Sequence, residues 1–331
     1  MVKQIILAER PKGEPNKEAF KMEERELPEL KDGEVLLTGK FYSVDPYMRG
    51  RMSDSKSYVA PFEVGEPISG GVVAQVEESK SSDFAKGDYV IGNLPWATQT
   101  VAEAKELRKV GEEDVPLHYY LGVLGMPGLT AYFGLMDIGQ PKEGETVVVS
   151  GAAGAVGLVV GQIAKIQGCK VVGIAGSDEK IEMLKSEFGY DEGINYKTAG
   201  NMQEAVKKAC PDGVDIYYDN VGGEVSDGVI MNLNFHARIP LCGQISLYNS
   251  KETPTGPRIQ PMLLTRSVLM KGFIVSNYQD KFPEGMRKLG QWIREGNVKF
   301  TETIVEGFDK LPEAFLGLFS GKNQGKMIVQ A

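Results

Sequence analysis

The chain of 331 residues is poor in cysteine and histidine, with three of the first and two of the second. The cysteines, Cys169, Cys210 and Cys242, are odd in number and widely spaced. This pattern argues against a disulfide framework and against a structural zinc site. We therefore expect no metal, and reduced thiols in the cytoplasm are the simplest interpretation.

Positive charge is also in short supply. Lysine and arginine number 37 against 45 aspartates and glutamates, a formal net charge of −8. Proteins that bind nucleic acid need clustered cations to replace the counterions of the phosphate backbone. The sequence thus predicts no nucleic-acid partner.

Long apolar runs are nearly absent. Residues 1–10 carry charges at Lys3, Glu9 and Arg10, which leaves no apolar core for a secretory signal. Residues 146–164 are uncharged and almost long enough to span a bilayer, but four glycines interrupt them. We expect no membrane association and a cytoplasmic location.

The residues up to about 120 form short alternating runs, at 34–44, 68–76 and 88–94, broken by glycine, proline and aspartate. Such runs predict a compact, mostly antiparallel β domain. An apolar helical pattern at 117–137 marks the change to a second domain.

From residue 146 onward, β-rich runs alternate with helical stretches, which is typical of βαβ units in a doubly wound parallel sheet. The predicted strands are 146–150, 170–175, 192–195, 214–218, 238–241 and 268–275. The predicted helices are 155–167, 178–188, 201–209, 224–232 and 283–295. The proline-rich residues 248–262 predict a mobile loop, and strands at 300–305 and 326–329 predict a return to the β domain.

The strongest local signal is the buried strand 147–149 followed by a turn of small residues and a helix start, Ala152-x-Gly154-x-x-Gly157. Small residues allow close approach of a pyrophosphate, and the helix N-terminus offers N–H donors. Ala152 replaces the first glycine of the usual fingerprint. Because the turn opens a series of βαβ units, it indicates a dinucleotide site rather than a purely structural turn.

The end of the second strand indicates which dinucleotide is bound. An NAD enzyme usually has an acidic residue there, whereas this chain has Gly176-Ser177 followed by Lys180. A neutral turn beside a lysine favours the 2′-phosphate of NADPH. The alternative is that Lys180 is a solvated helix residue and Asp178 the N-terminal cap of that helix.

Six segments together resemble the medium-chain dehydrogenase/reductase superfamily, and specifically its prostaglandin and leukotriene reductase branch with the bacterial curcumin reductases. They are residues 44–49 (VDPYMR), 125–132 (GMPGLTAY), 152–157, 176–180 (GSDEK), 195–197 (NYK) and 219–223 (DNVGG). The resemblance covers the whole chain. It implies an α/β fold in which a doubly wound Rossmann domain is inserted in a mostly antiparallel GroES-like β domain, and a homodimer.

The domain boundaries expected on this basis are 1–124 for the first part of the GroES-like catalytic domain, 125–296 for the NADP-binding domain and 297–331 for the C-terminal part of the catalytic domain. The resemblance also implies the residues that bind NADPH: Gly154, Ala155, Val156 and Gly157 at the pyrophosphate, Lys180 and Tyr196 at the 2′-phosphate, and Asn220, Cys242, Gly243, Gln244, Ile245, Ser246, Phe273, Ile274, Val275 and Asn323 toward the ribose and nicotinamide.

Zinc-dependent relatives carry a cysteine and a Gly-His-Glu motif in the β domain. The corresponding positions here are Asp45 and 65–70 (GEPISG), so a Lewis-acid site cannot be assembled from them. His118 and His236 are interpreted as structural.

Without a metal, reduction of a conjugated carbon–carbon double bond is easier than reduction of an isolated carbonyl. Hydride at the β-carbon gives an enolate that hydrogen bonds can stabilise. The expected activity is therefore NADPH-dependent reduction of small α,β-unsaturated ketones or aldehydes. Tyr248 is the predicted hydrogen-bond donor or proton source, while Tyr47 and Tyr58 are weaker candidates. A quinone reductase of the same superfamily and a non-catalytic NADPH-binding protein remain as alternatives.

Overall fold

The computed structural model describes residues 1–111 and 115–331, and these fall into two compact units. The first unit contains Met1–Leu121, Glu302–Asn323 and Met327–Ala331, and the second contains Gly122–Thr301 and Gln324–Lys326. The chain therefore leaves the first unit, forms the second and returns. The domain boundaries expected from the sequence fall after residues 124 and 296. Residues beyond 296 belong to the second unit because Lys299 exchanges two main-chain hydrogen bonds with the Gln162 side chain, of 2.8 and 2.7 Å.

The first unit is the predicted antiparallel β domain. Its N-terminal part contains β1 (Val2–Leu7), β2 (Phe20–Arg25), β3 (Glu34–Ser43), α1 (Met48–Arg51), β4 (Ser69–Ser79), β5 (Tyr89–Pro95), β6 (Gln99–Glu103) and β7 (Arg108–Val110). Tyr42, Trp96 and Phe315 belong to its buried core. Buried and solvent-facing residues alternate along much of β4, and this alternation is the pattern from which the sequence predicted an antiparallel strand.

The second unit contains alternating helices and strands. They are α2 (Met126–Phe133), β8 (Thr146–Ser150), α3 (Ala155–Ile166), β9 (Lys170–Ala175), α4 (Asp178–Phe188), β10 (Glu192–Asn195), α5 (Met202–Ala209), β11 (Val214–Tyr218), α6 (Gly223–Ile230), β12 (Leu233–Leu241), α7 (Gln260–Thr265), β13 (Leu269–Gly272) and α8 (Phe282–Arg294). The strands form one sheet in the order β10-β9-β8-β11-β12-β13, with every adjacent pair parallel. This is the doubly wound order, so the fold class predicted from the sequence is confirmed.

Two predictions within this unit need correction. The last strand ends at Gly272 instead of 275, because the Ile274 N–H turns to the Asn277 side chain and residues 275–281 form a 3₁₀ segment. The fifth strand begins at Leu233 instead of 238. The helical pattern predicted at 117–137 corresponds to a 3₁₀ turn, α2 and a π-helical segment.

The chain returns to the first unit through β14 (Glu302–Glu306), α9 (Leu311–Phe319) and β15 (Lys326–Gln330). β14 and β15 extend a sheet in the order β14-β15-β3-β4-β5-β7, with β6 paired to β3. Over the described residues, no helix is long and apolar enough to cross a membrane.

Candidate functional site

The order of the parallel sheet reverses between β8 and β11, and ligands of such folds bind beyond the carboxyl ends of the strands at that point. Ser150 ends β8, and Asn220 follows β11. The Asn220 side chain donates to the Ser150 carbonyl at 2.8 Å, and the Asn220 N–H donates to the Ser150 hydroxyl at 3.0 Å. The two strand ends are thereby tied together.

The turn after β8 brings its backbone very close to α3. A Cβ atom added to Gly157 would lie 2.4 Å from the Gly151 carbonyl oxygen and 2.6 Å from Ala152 Cα, so only glycine fits. Gly154 precedes α3 and has no side chain with which to cap it. The first-turn N–H groups and the helix dipole make this end of α3 suited to an anion.

A buried phenol stabilises the same helix from behind. The Tyr190 hydroxyl donates to the Gly157 carbonyl at 2.7 Å. Burial raises the pKa of Tyr190, so the phenol keeps its proton. Gly161 permits this packing, because a Cβ there would lie 2.2 Å from the Tyr190 ring.

Tyr196 directly follows β10, and Lys180 lies in the first turn of α4, the helix that follows the adjacent strand β9. A Cβ on Gly176, just beyond β9, would lie 3.1 Å from the Tyr196 hydroxyl, which places this ring over the turn. Lys180 is half-buried, and burial first and the nearby Lys197 second lower the pKa of its ammonium group. Two cations thus share this corner.

The alternative interpretation of this corner, in which Asp178 caps α4, is wrong about the cap. Ser177 caps α4 through its side chain, which accepts from the Lys180 N–H at 3.3 Å. Asp178 instead accepts from the Asn195 amide at 2.8 Å.

Asp219, directly after β11, is the centre of the densest polar cluster of the site. It is 1% exposed. Oδ1 accepts from the Ser150 and Tyr217 hydroxyls and from the Val221 and Gly222 N–H groups, at 2.9–3.2 Å. Oδ2 accepts from the Ser226 hydroxyl at 2.8 Å and from the Gln244 amide at 3.0 Å. Neutral donors from several segments thereby stabilise a buried charge.

Residues 242–248 follow β12 and lie beside this cluster. The Tyr248 hydroxyl accepts from the Gln244 N–H at 3.2 Å, and the Ser246 hydroxyl donates to the Val221 carbonyl at 2.6 Å. Burial raises the pKa of Tyr248 above its ordinary value and the pKa of Cys242 to about 12. Both groups are protonated near neutral pH.

The remaining predicted residues are less closely grouped. The Phe273 ring packs edge-on against Tyr218 with centroids 6.4 Å apart. Ile274 begins the 3₁₀ segment, and Asn323 belongs to the β unit. Tyr47 and Tyr58 also lie in the β unit, where Tyr58 is exposed and burial raises the pKa of Tyr47.

At the position of the zinc-ligating cysteine, Asp45 is buried and accepts from the Ser43 hydroxyl. His118 contacts Glu302 and packs edge-on against Phe41 inside the β unit, whereas His236 is on the surface of the second unit. Within residues 1–111 and 115–331, no group of three or more potential ligands is placed to hold a metal ion.

Sequence reasoning missed Asp219 and Lys197 as members of this site. Asp219 was seen only as the first letter of a family motif, and its position after a buried strand was the available signal. Lys197 follows Tyr196 directly and could have been paired with Lys180 by strand order. Nothing in the sequence marks Tyr190, because the Gly157 carbonyl that its hydroxyl contacts lies 33 positions earlier in the chain.

Comparison with known proteins agrees with this geometry. Residues 3–110 match the family described as N-terminal domain of oxidoreductase, and residues 155–291 match the one described as zinc-binding dehydrogenase. The NADPH-dependent curcumin reductase of Escherichia coli is 44% identical, covering 98% of this chain and 95% of the relative. Prostaglandin reductase 1 of the rat is 46% identical over 96% of each chain.

A solved structure is equally similar. The crystal structure of CurA from Vibrio vulnificus in complex with NADPH superposes with a TM-score of 0.95 at 45% identity, covering 99% of both chains. The chain therefore belongs to the medium-chain dehydrogenase/reductase superfamily, in the branch that contains the prostaglandin and curcumin reductases.

Proposed function

We propose that this chain is an NADPH-dependent reductase that delivers hydride to a carbon–carbon double bond conjugated to a carbonyl group. Its relatives' names support this, among them a 2-alkenal reductase (NADP(+)-dependent) of Nicotiana tabacum, 43% identical over 99% of this chain and 96% of the relative. The observation that carries the proposal is the strand-end corner where Lys180, Lys197 and Tyr196 meet beside the glycine turn.

The residues of the second unit fit NADPH. Two ammonium groups suit a phosphate monoester, and an N–H-rich helix end suits a pyrophosphate. Lys180 and Tyr196 would hold the 2′-phosphate, and residues 154–157 would hold the pyrophosphate. Asn220, residues 242–246 and Phe273–Val275 would line the ribose and nicotinamide side. When bound, the cofactor supplies the hydride.

Tyr248 is the proposed hydrogen-bond donor to the substrate. The Gln244 N–H already donates to the phenol oxygen, so the phenol's own proton is available to another acceptor. The raised pKa of Tyr248 keeps that proton in place at neutral pH. A donor of this kind stabilises the enolate oxygen that forms when hydride reaches the β-carbon, and the α-carbon is then protonated.

We further propose a homodimer in the cytoplasm. β13 is the edge strand of the parallel sheet, and large apolar side chains are exposed on or near it, with Leu264 at 80%, Phe235 at 71% and Leu269 at 49%. Exposed edges and apolar patches of this kind favour pairing with another chain. The cysteines Cys169, Cys210 and Cys242 are free thiols, which suits a reducing compartment.

The test is a substrate panel with purified protein. NADPH oxidation with 3-nonen-2-one, but not with a quinone or with a saturated ketone, is the expected result. Oxidation with a quinone alone would support a quinone reductase. Tight NADPH binding without turnover of any substrate would support a binding protein.

A further inference from the structure

We propose that Asp219 is a positioning residue for the reaction: it fixes Gln244 so that the main-chain N–H of Gln244 is directed at the Tyr248 hydroxyl. The inference rests on the proposed role of Tyr248. Asp219 itself would contact neither substrate nor cofactor, because its carboxylate is enclosed by protein donors.

Asp219 holds residues 242–244 from two sides. Its main-chain carbonyl accepts from the Cys242 N–H at 2.9 Å and from the Gly243 N–H at 3.0 Å. Its carboxylate accepts from the Gln244 side-chain amide at 3.0 Å. The start of the segment and the side chain that follows it are therefore attached to one residue.

The Gln244 amide can adopt only one orientation. Its Nε2 also donates to the Gly243 carbonyl at 2.8 Å, so a flipped amide would set two carbonyl oxygens against each other. Its Oε1 occupies space beside Gly222, where an added Cβ would lie 2.1 Å away. Contacts on three sides thus fix Gln244.

The position of Gln244 in turn affects the phenol of Tyr248. The Gln244 N–H lies 3.2 Å from the Tyr248 oxygen, near the limit of a good hydrogen bond. A small shift of residues 243–244 would break this bond and free the phenol proton to turn inward. Misplacement of a reacting group by about 1 Å can lower a rate by about a hundredfold.

Asp219→Asn keeps the shape of the side chain but replaces one of its two acceptor oxygens with an NH₂ donor. The asparagine carbonyl can still accept on the Oδ1 side. Its amide nitrogen would then face the Ser226 hydroxyl and the Gln244 amide, and both are donors in the parent protein. The Ser226 hydroxyl can rotate, whereas the Gln244 amide cannot flip, so Gln244 must move.

The experiment is a double-mutant cycle, with kcat and KM measured on 3-nonen-2-one and NADPH. We expect D219N to lower kcat, measured at saturating NADPH, by about ten- to a hundredfold. The KM for NADPH should rise as well, because residues 242–244 are also proposed to line the cofactor site. In a Tyr248→Phe background the same substitution should lower kcat by less than about threefold, because its effect passes through the phenol. Ser226→Ala, which removes another donor to Asp219 without touching Gln244, is the matched control and should stay within about threefold of the parent.

Equal losses from D219N in both backgrounds would overturn the inference and leave the proposed function intact. An unchanged kcat in Y248F would instead overturn the role of Tyr248. If D219N does not fold by circular dichroism, Gln244→Met provides the same cycle. This variant removes the amide but keeps the length of the side chain, and additivity with Y248F would again overturn the inference.

Discussion

At the scale of single residues, the choice between NADPH and NADH depends on a corner that contains no strand-end carboxylate. Gly176 and Ser177 occupy the turn after β9, and Asp178, the first residue of α4, accepts from the Asn195 amide. Lys180 and Lys197 are close enough that Lys197 lowers the pKa of Lys180. An added phosphate would relieve their mutual repulsion, whereas a bare ribose hydroxyl would not.

Lys180→Ala should therefore weaken NADPH binding and leave NADH binding nearly unchanged. A charge-assisted hydrogen bond contributes about 1.5–3 kcal/mol, so we expect the Kd for NADPH to rise about ten- to a hundredfold. Fluorescence titration of both nucleotides measures this. Lys185→Ala is the matched control, because Lys185 lies on the same helix and is 3.7 Å from Glu192. An unchanged preference for NADPH in K180A would remove Lys180 from the 2′-phosphate site.

At the scale of elements, the Tyr190 hydroxyl is bound to the first turn of α3. It donates to the Gly157 carbonyl, in the turn next to the proposed pyrophosphate site. The phenol therefore helps to hold that turn in place.

Tyr190→Phe should remove the hydrogen bond to the Gly157 carbonyl and so loosen the first turn of α3. We expect the Kd values for NADPH and NADH to rise by the same factor of about three- to tenfold, since both carry a pyrophosphate. Tyr42→Phe, another buried phenol that donates to a main-chain carbonyl, is the control. Each variant should lose about 1 kcal/mol of stability, but Y42F should bind both nucleotides normally. Unchanged affinities in Y190F would reduce Tyr190 to a packing residue.

The elements that the sequence predicted well are those with one clear period. The β8 strand, α3 and α4 begin at the predicted residues, because a buried apolar run, a small-residue turn and a serine cap mark them. β12 was predicted five residues too short, since polar Asn234 and a left-handed His236 with φ 62° interrupt its pattern. The helical pattern at 117–137 is divided in the structure, where the chain turns so tightly before α2 that a Cβ on Gly128 would lie 1.8 Å from the Val123 carbonyl oxygen.

The residues of the candidate site also differ in how far the sequence alone could predict them. Lys180 and Tyr196 were open to sequence reasoning because they follow adjacent strands of a parallel sheet, Tyr196 directly after β10 and Lys180 in the first turn of the helix after β9, and such strand ends share one edge. Asp219 also follows a strand directly, but the set of donors that it accepts from could not be found in this manner. Its donors come from β8, β11, α6 and residue 244, and sequence separation conceals their convergence.

At the scale of the whole molecule, buried phenols and thiols should make the protein sensitive to alkali. Burial raises the pKa of Tyr42, Tyr190, Tyr217 and Tyr218 above 10, and raises that of Cys169 and Cys210 to about 11. The unfolded chain releases these protons at ordinary values, so unfolding becomes easier as the pH rises past them.

The free energy of unfolding should therefore fall between pH 9 and pH 11, by about 1.4 kcal/mol for each such tyrosine at one pH unit above its ordinary value. Urea titrations at several pH values measure this, and Y42F should show a shallower fall than the parent. A free energy of unfolding that stays level to pH 11 would mean that these groups are accessible in the folded state.

The central claim is that hydride passes from the nicotinamide to the β-carbon of a conjugated enone. The direct measurement is turnover of 3-nonen-2-one with NADPH carrying deuterium at the transferred position, followed by NMR of the product. We expect deuterium at the β-carbon and a solvent-derived hydrogen at the α-carbon. Deuterium at the carbonyl carbon, or a product without the label, would contradict it.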